Sequence, residues 1–280
     1  MIWPAADLPF VQDIRPALDR AVEGLRAQVD IAVIGLSGGA DSTLCACLGV
    51  RALGASRVYG LSMPFNPLDR ATFNARSGRL AAKLGIHHAV LPIGAPVEHA
   101  LAGFQEHAAG FFPGPVPVSA LNQGNLRSRM RMVQLYLAAM AIGEAHPGRR
   151  VRVIGTGNLS EDYIGYDTKW GDGACDVFPI ADFFKREVYM ALELFRGQGL
   201  ITEDLIDRHP SAGLWDGQTD EDELGFSYDD MAPAIHYLRA GALPAGLTPE
   251  QLRVAAFVRA RHEANRHKLR PAGIRTITRT

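Results

Sequence analysis

The residues best placed to do chemistry cluster first in Ile31-Ala-Val-Ile-Gly-Leu-Ser-Gly-Gly-Ala-Asp-Ser42, where an apolar run meets the start of a helix. Gly38 and Gly39 let the backbone approach an anion closely, and consecutive N–H groups there can form a nest. The helix N-terminus adds the positive end of its dipole. Ser37 and Ser42 can donate hydroxyl hydrogen bonds. Asp41 would repel a bare phosphate, so its presence points to a divalent cation, Mg²⁺, between the two. The segment is not a Walker A loop, because no Gly-x-x-x-x-Gly-Lys-[Ser/Thr] occurs in it. It does match the Gly-x-Ser-x-Gly nucleophile elbow at Gly35, Ser37 and Gly39. That reading needs several strands and an oxyanion loop beforehand, and 34 residues precede Gly35. A glycine-rich turn with no ligand is the third alternative.

A second group lies between residues 155 and 187. Glu161 is a carboxylate that a cation bridging phosphates would welcome. Lys169 and Lys185 are point charges suited to phosphate. Asp172 and Asp176 flank Gly173 in a loop too rich in glycine to be core. Upstream, Arg129 sits near a helix start and suits a diphosphate or carboxylate. Arg127, Arg129 and Arg131 cannot share one helical face, so solvent is expected to hold one or two of them. The histidines at 87, 88, 99 and 107 have no grouping with acids or cysteines, and no zinc site is expected.

Elements must position these groups. Apolar positions at Val11, Leu18, Val22, Leu25 and Val29 predict an amphipathic helix within 8–29. Ile31–Leu36 reads as a buried parallel strand, and Val58–Met63, His88–Leu91 and Val151–Ile154 read as further strands. Helices are predicted over Thr43–Leu53, stopped by Gly54, over Ala71–Leu84, stopped by Gly85, and after Phe184. The alternation predicts an α/β fold with an open, mostly parallel, doubly wound sheet flanked by helices. Leu126, Met130, Val133, Leu137 and Met140 alternate steps of four and three, which places a long helix over about 120–145. Residues 110–118 hold three prolines in five positions and read as a linker or lid.

Composition excludes several classes. The 280 residues carry 29 basic and 30 acidic side chains, so net charge does not point to a nucleic-acid partner. Asp216 to Asp230 holds seven acids and no base and reads as solvated surface, whereas Arg253 to Thr280 holds eight bases against Glu263. The 3 cysteines form no disulfide framework, and Cys45 and Cys47 read as small packing residues. No signal peptide and no apolar run near 18 residues is visible, so a soluble, cytoplasmic protein away from membranes is expected.

The Ser-Gly-Gly-x-Asp-Ser segment resembles the pyrophosphate loop of the ATP pyrophosphatases, which cut ATP between the α and β phosphates. Within that superfamily, Gly155-Thr156-Gly157-Asn158, Ser160-Glu161, Gly165-Tyr166, Thr168-Lys169, Gly171-Asp172-Gly173, Asp176, Pro179-Ile180 and Lys185 strongly resemble the NAD synthetases. The blocks Asn125–Met132 and Pro210–Tyr228 agree, and the resemblance spans roughly residues 10–270. It implies an adenine nucleotide alpha hydrolase-like, Rossmann-like fold over a single domain, 1–280, with a helical and basic C-terminal part from about 230 and no glutamine amidase domain. It implies that Gly35, Leu36, Ser37, Gly38, Gly39, Ala40, Asp41, Ser42, Thr156, Lys185 and Ser211 contact ATP, and that Asp41 and Glu161 bind Mg²⁺. Arg129, Lys169, Asp176, His267 and Lys268 would contact deamido-NAD. Asp41, Glu161 and Lys185 would be catalytic, with Asp172 a candidate base by proximity in sequence. The implied reaction amidates deamido-NAD with ammonia through an acyl-adenylate, in a homodimer with substrate sites at the interface. A ligase of this superfamily with another acceptor, or a nucleotide-binding homologue without catalysis, stays open.

Overall fold

The computed structural model describes residues 2–112, 118–206, 220–269 and the two-residue strand 275–276. Among these, the elements run α1 (Arg15–Gln28), β1 (Ile31–Gly35), α2 (Ala40–Leu53), β2 (Val58–Ser62), α3 (Pro67–Leu84), β3 (His87–Val90), α4 (Gly94–His107) and α5 (Ala120–Ala145). They continue with β4 (Val151–Ile154), α6 (Leu159–Ile164), β5 (Val177–Phe178), α7 (Lys185–Gly197), α8 (Asp220–Leu224), α9 (Tyr228–Arg239), α10 (Pro249–Asn265) and β6 (Arg275–Thr276). The sheet order is β3-β2-β1-β4-β5-β6, and every pairing is parallel. This is the predicted doubly wound sheet, with β4, β5 and β6 carried to the opposite side of β1 from β2 and β3.

The pleat explains why β1 reads as a continuous apolar run. Ala32 and Ile34 join a core that holds Leu18, Leu25, Leu44, Leu48 and Leu192 from α1, α2 and α7. Val33 points the other way, into a core with Val97, Leu135 and Val153. Helices on both faces leave no side of the strand wet. α2 is buried almost all round because the sheet, α1 and α7 enclose it. Cys45 and Cys47 are packing residues there, and burial pushes the Cys47 thiol up to about 12. A third core joins Trp3 to Ile164, Tyr228, Ile235, Val254 and Val258, so the N-terminus ties α6, α9 and α10 together.

The differences from the sequence reading have physical causes. α2 begins at Ala40 rather than Thr43, which places Asp41 in its first turn. α4 carries a weak apolar pattern and buries little beyond Gly94 and Val97. β5 and β6 pair through two residues each, too short for any periodicity. On α5 the apolar row is only partly core: Leu126 and Met130 pack against the second core, whereas Val133, Leu137 and Met140 are 49%, 56% and 64% exposed. Periodicity gives an apolar face but not what covers it. Residues 113–117 of the proline-rich segment lie outside the described residues. Among the described residues, no helix is long and apolar enough to cross a membrane.

Candidate active site

The strand order reverses between β1 and β4, and in open parallel sheets the crevice at such a switch point is where ligands bind. The loops leaving these two strands face one another there. After β1, Leu36 N–H donates to the Leu61 carbonyl at 2.8 Å, which holds the loop against β2. Gly38 adopts φ 73°, a region that excludes most side chains. The Ser37 hydroxyl accepts from Gly39 N–H at 3.1 Å and shares a hydrogen bond with the Ser42 hydroxyl at 3.1 Å. The Gly39 N-cap supplies no side-chain bond, so the first N–H groups of α2 are left for an incoming acceptor.

After β4, Asn158 caps α6: its Oδ1 accepts from Glu161 N–H at 3.2 Å. Its Nδ2 reaches across the crevice to donate to Asp41 at 2.9 Å. Lys185, at the start of α7, donates to Asp41 at 2.6 Å and to Glu161 at 2.7 Å. Glu187 supports that helix start by accepting from the N–H groups of Phe184 and Val11. Burial alone would lower the Lys185 ammonium, but Asp41 and Glu161 outweigh it and hold the ammonium well above its usual range. Burial pushes Glu161 up to about 7, against the pull of Lys185. Asp162 is held well above the usual carboxylate range by burial, then by Glu161 and Asp167.

Of these groups, Ser37, Asp41, Ser42, Glu161, Asp162 and Lys185 line a cavity of ≈ 530 Å³ that also takes in Thr156, Asp172 and Lys268. Asp172 accepts from the Ser128 hydroxyl at 2.7 Å and from Thr168 N–H at 2.9 Å. Gly171 is required beside it, since a Cβ there would collide with Ser128 Oγ. Lys268 donates to the carbonyls of Gly165 at 2.7 Å and Asp167 at 2.8 Å. Arg129, Lys169 and His267 stay outside the cavity wall and form a chain on an exposed rim. Arg129 donates to the Lys169 carbonyl at 3.2 Å, and Lys169 Nζ to His267 Nδ1 at 3.4 Å. Asp176 is also outside the wall and joins α5 to β4, accepting from Tyr136 at 3.0 Å and Val153 N–H at 2.8 Å. Ser211 lies outside the described residues.

The acidic run corrects the sequence reading in part. Asp220 is 3% exposed, lines the cavity and accepts from the Tyr228 hydroxyl at 2.9 Å. α8 carries it inward when Leu224 and Tyr228 join the third core. Of the arginine trio, Arg131 reaches the cavity and donates to the Met63 carbonyl, and Arg127 stacks on Phe65. The sequence reading also passed over Asn158 and Arg261 as site residues. The N-cap position just before Leu159 was the available signal for the first.

The oxygen donors fit a cation shared with phosphates. Asp41 and Glu161 already surround one positive charge, the Lys185 ammonium. Among the described residues no group of three or more His, Cys, Asp or Glu could hold a metal unaided. Mg²⁺ is commonly held by one or two carboxylates plus substrate phosphates.

Fold and site together define a doubly wound α/β nucleotide-binding protein, with an anion loop and a carboxylate–lysine cluster at its switch point. Residues 10–272 match the NAD synthase family. The chain is 39% identical over 267 residues to the NH(3)-dependent NAD(+) synthetase of Methanosarcina acetivorans, covering 91% of this chain and 96% of that protein. The Methanosarcina mazei protein of the same name is 36% identical over the same shares. A solved NMN synthetase from Francisella tularensis superposes with TM-score 0.72 at 29% identity, covering 94% of this chain and 98% of that one. An NH3-dependent NAD synthetase from Campylobacter jejuni gives 0.68 at 25% identity, covering 94% and 99%. The chain belongs to the NAD synthase family.

Proposed function

We propose that the cavity joins ammonia to the nicotinate carboxylate of deamido-NAD at the expense of ATP, giving NAD, AMP and pyrophosphate. The chain is then an ammonia-dependent ligase of NAD biosynthesis. The observation that carries this is the convergence of the Ser37–Ser42 loop with Asp41, Lys185 and Glu161 across the β1/β4 crevice.

A carboxylate does not react with ammonia at neutral pH, because its leaving group would be oxide. Attack of the carboxylate on the α-phosphate of ATP replaces that with AMP. The departing pyrophosphate is received by the backbone of the Ser37–Ser42 loop and the N-terminus of α2, where preformed donors stabilise developing charge. Asp41 and Glu161 would hold Mg²⁺, which when bound neutralises phosphate charge. Lys185 keeps both carboxylates aligned and offers its ammonium to the phosphates. Ammonia then displaces AMP from the acyl group. Asp172, fixed by Ser128 and Thr168, is the candidate acceptor of the proton that ammonia loses.

The rim of Arg129, Lys169 and His267 receives the outer part of the dinucleotide. The chain works as a homodimer, with the exposed Val133, Leu137 and Met140 of α5 covered by a second copy, since apolar rows of this kind mark interaction surfaces. Likeness to an NMN synthetase makes the mononucleotide the competing acceptor.

The test is incubation with ATP, Mg²⁺, ammonium and either deamido-NAD or nicotinate mononucleotide. NAD, AMP and pyrophosphate should appear in equal amounts from deamido-NAD, and Asp41→Ala should abolish them without unfolding the protein. A preference for the mononucleotide moves the chain to NMN synthesis. Pyrophosphate with neither amide points to another acceptor, and bound ATP with no product points to a non-catalytic homologue.

A further inference from the structure

Four cationic side chains line the cavity among the described residues: Arg131, Lys185, Arg261 and Lys268. Three have partners. Arg131 donates to the Met63 carbonyl at 3.2 Å, Lys185 bridges Asp41 and Glu161, and Lys268 holds two carbonyls of the loop after α6. Arg261 makes no ion pair or side-chain hydrogen bond to any described residue, and its Nε is buried without an acceptor. This is not for want of acids, because Asp162, Asp167, Asp172 and Glu223 line the same cavity. A buried guanidinium donor left unmade is unfavourable, and folded proteins rarely keep one without a use.

The backbone beneath Arg261 is fixed. Asn265 Nδ2 donates to the Arg261 carbonyl at 2.9 Å and to the Ile164 carbonyl at 3.2 Å, which clamps α10 to α6. Gly165, with φ 64°, allows this approach, since a Cβ there would collide with Asn265. Lys268 latches the next turn to Gly165 and Asp167. Two cations of α10 and the turn after it are thus held on one wall; Lys268 faces the Asp167 carboxylate at 3.8 Å, whereas the Arg261 Nε has no acceptor among the described residues. Burial chiefly disfavours the Lys268 ammonium, Asp167 opposes this, and Arg261 adds to it, which places the two cations within electrostatic reach.

We propose that Arg261 receives a phosphate of the acceptor nucleotide on the α6–α10 wall, with Lys268 as the positioning residue that holds this wall in place. The inference rests on the amidation described above. The ligand is the acceptor rather than ATP because the pyrophosphate of ATP already has the Ser37–Ser42 loop and Lys185. Arginine suits the task, because its planar fork can meet two phosphate oxygens at once.

The experiment compares wild type, Arg261→Gln and Arg261→Lys. It reads KM for deamido-NAD and for ATP, and the Kd of deamido-NAD by calorimetry without ATP. Arg261→Gln should raise KM and Kd for deamido-NAD about tenfold or more, as loss of a charge-assisted bidentate contact does, and leave KM for ATP within about twofold. Arg261→Lys should fall between. Unchanged constants for deamido-NAD overturn the proposal, and so does a shift in KM for ATP alone. Should Arg261→Gln fail to fold, Arg261→Met keeps the apolar stem and carries the same readings. A wild type that turns over no deamido-NAD defeats the functional reading instead, which separates the two failures.

Discussion

Lys185→Met removes the ammonium between Asp41 and Glu161 and keeps an unbranched stem. The Lys185 side chain is 6% exposed, and those of its partners are 18% and 17%. Removing one partner from a buried ion pair costs about 3–5 kcal/mol, mostly the penalty of the charges left behind. Here a proton can relieve that penalty. Glu161 is already lifted to about 7 by burial with the ammonium beside it, and it rises further once the ammonium is gone. Its folded pKa then lies far above the unfolded value of about 4.3. A carboxyl so raised favours the folded state fully below the unfolded pKa, and this contribution is lost as pH rises through the folded one. The variant should therefore lose about 1–2 kcal/mol at pH 5 and about 3–5 kcal/mol at pH 8. Urea unfolding at the two pH values measures this. Turnover at pH 8 should fall at least about a hundredfold, the scale for loss of a group that stabilises developing charge. Equal losses at pH 5 and pH 8, or less than about 1 kcal/mol at pH 8, would refute the argument that Lys185 neutralises two buried carboxylates.

Other perturbations test other joints. Asn158→Ala removes both the cap of α6 and the bond to Asp41, so it should cost about 1–2 kcal/mol in urea unfolding and lower kcat/KM by about tenfold. Asp167 is raised to about 6 by burial and then by Asp172, above its ordinary carboxyl value. Its contribution to folding is present below about pH 4 and lost as pH rises through 6, so Asp167→Asn should stabilise the protein above pH 7 by up to about 2 kcal/mol and not at pH 4. A melting series in pH checks the sign, and a gain that persists at pH 4 contradicts it. Leu137→Glu with Met140→Glu should convert a dimer to monomer in sedimentation, and a wild-type monomer rules out the α5 interface.

Local signals carried far in this chain. The β1 segment is apolar and β-branched, and Gly38-Gly39 follows it directly, so a strand turning into a helix N-terminus was legible without neighbours. The charged residues of the proposed site were singled out by the resemblance of the motifs through Lys185 to the NAD synthetases. The α5 row shows the limit. Its period placed the helix but says nothing of what covers it, and Val133, Leu137 and Met140 have no cover within the described chain. The acidic run failed for a related reason: charge along a sequence does not reveal that Asp220 turns inward onto Tyr228.

Sequence by itself determined the parallel α/β alternation and the glycine-rich turn from β1 into α2, because these follow from residue type and spacing within a few turns of chain, and the resemblance of its motifs singled out Asp41, Glu161 and Lys185 for the proposed site. Tertiary structure alone decided that Lys185 lies between Asp41 and Glu161, that Asp176 braces Tyr136 and Val153 away from the cavity, and that Arg261 lines the cavity with its Nε lacking an acceptor among the described residues. Those contacts join residues far apart in the chain. Their geometry is set by how the helices pack on the two faces of the sheet, and no local pattern encodes it.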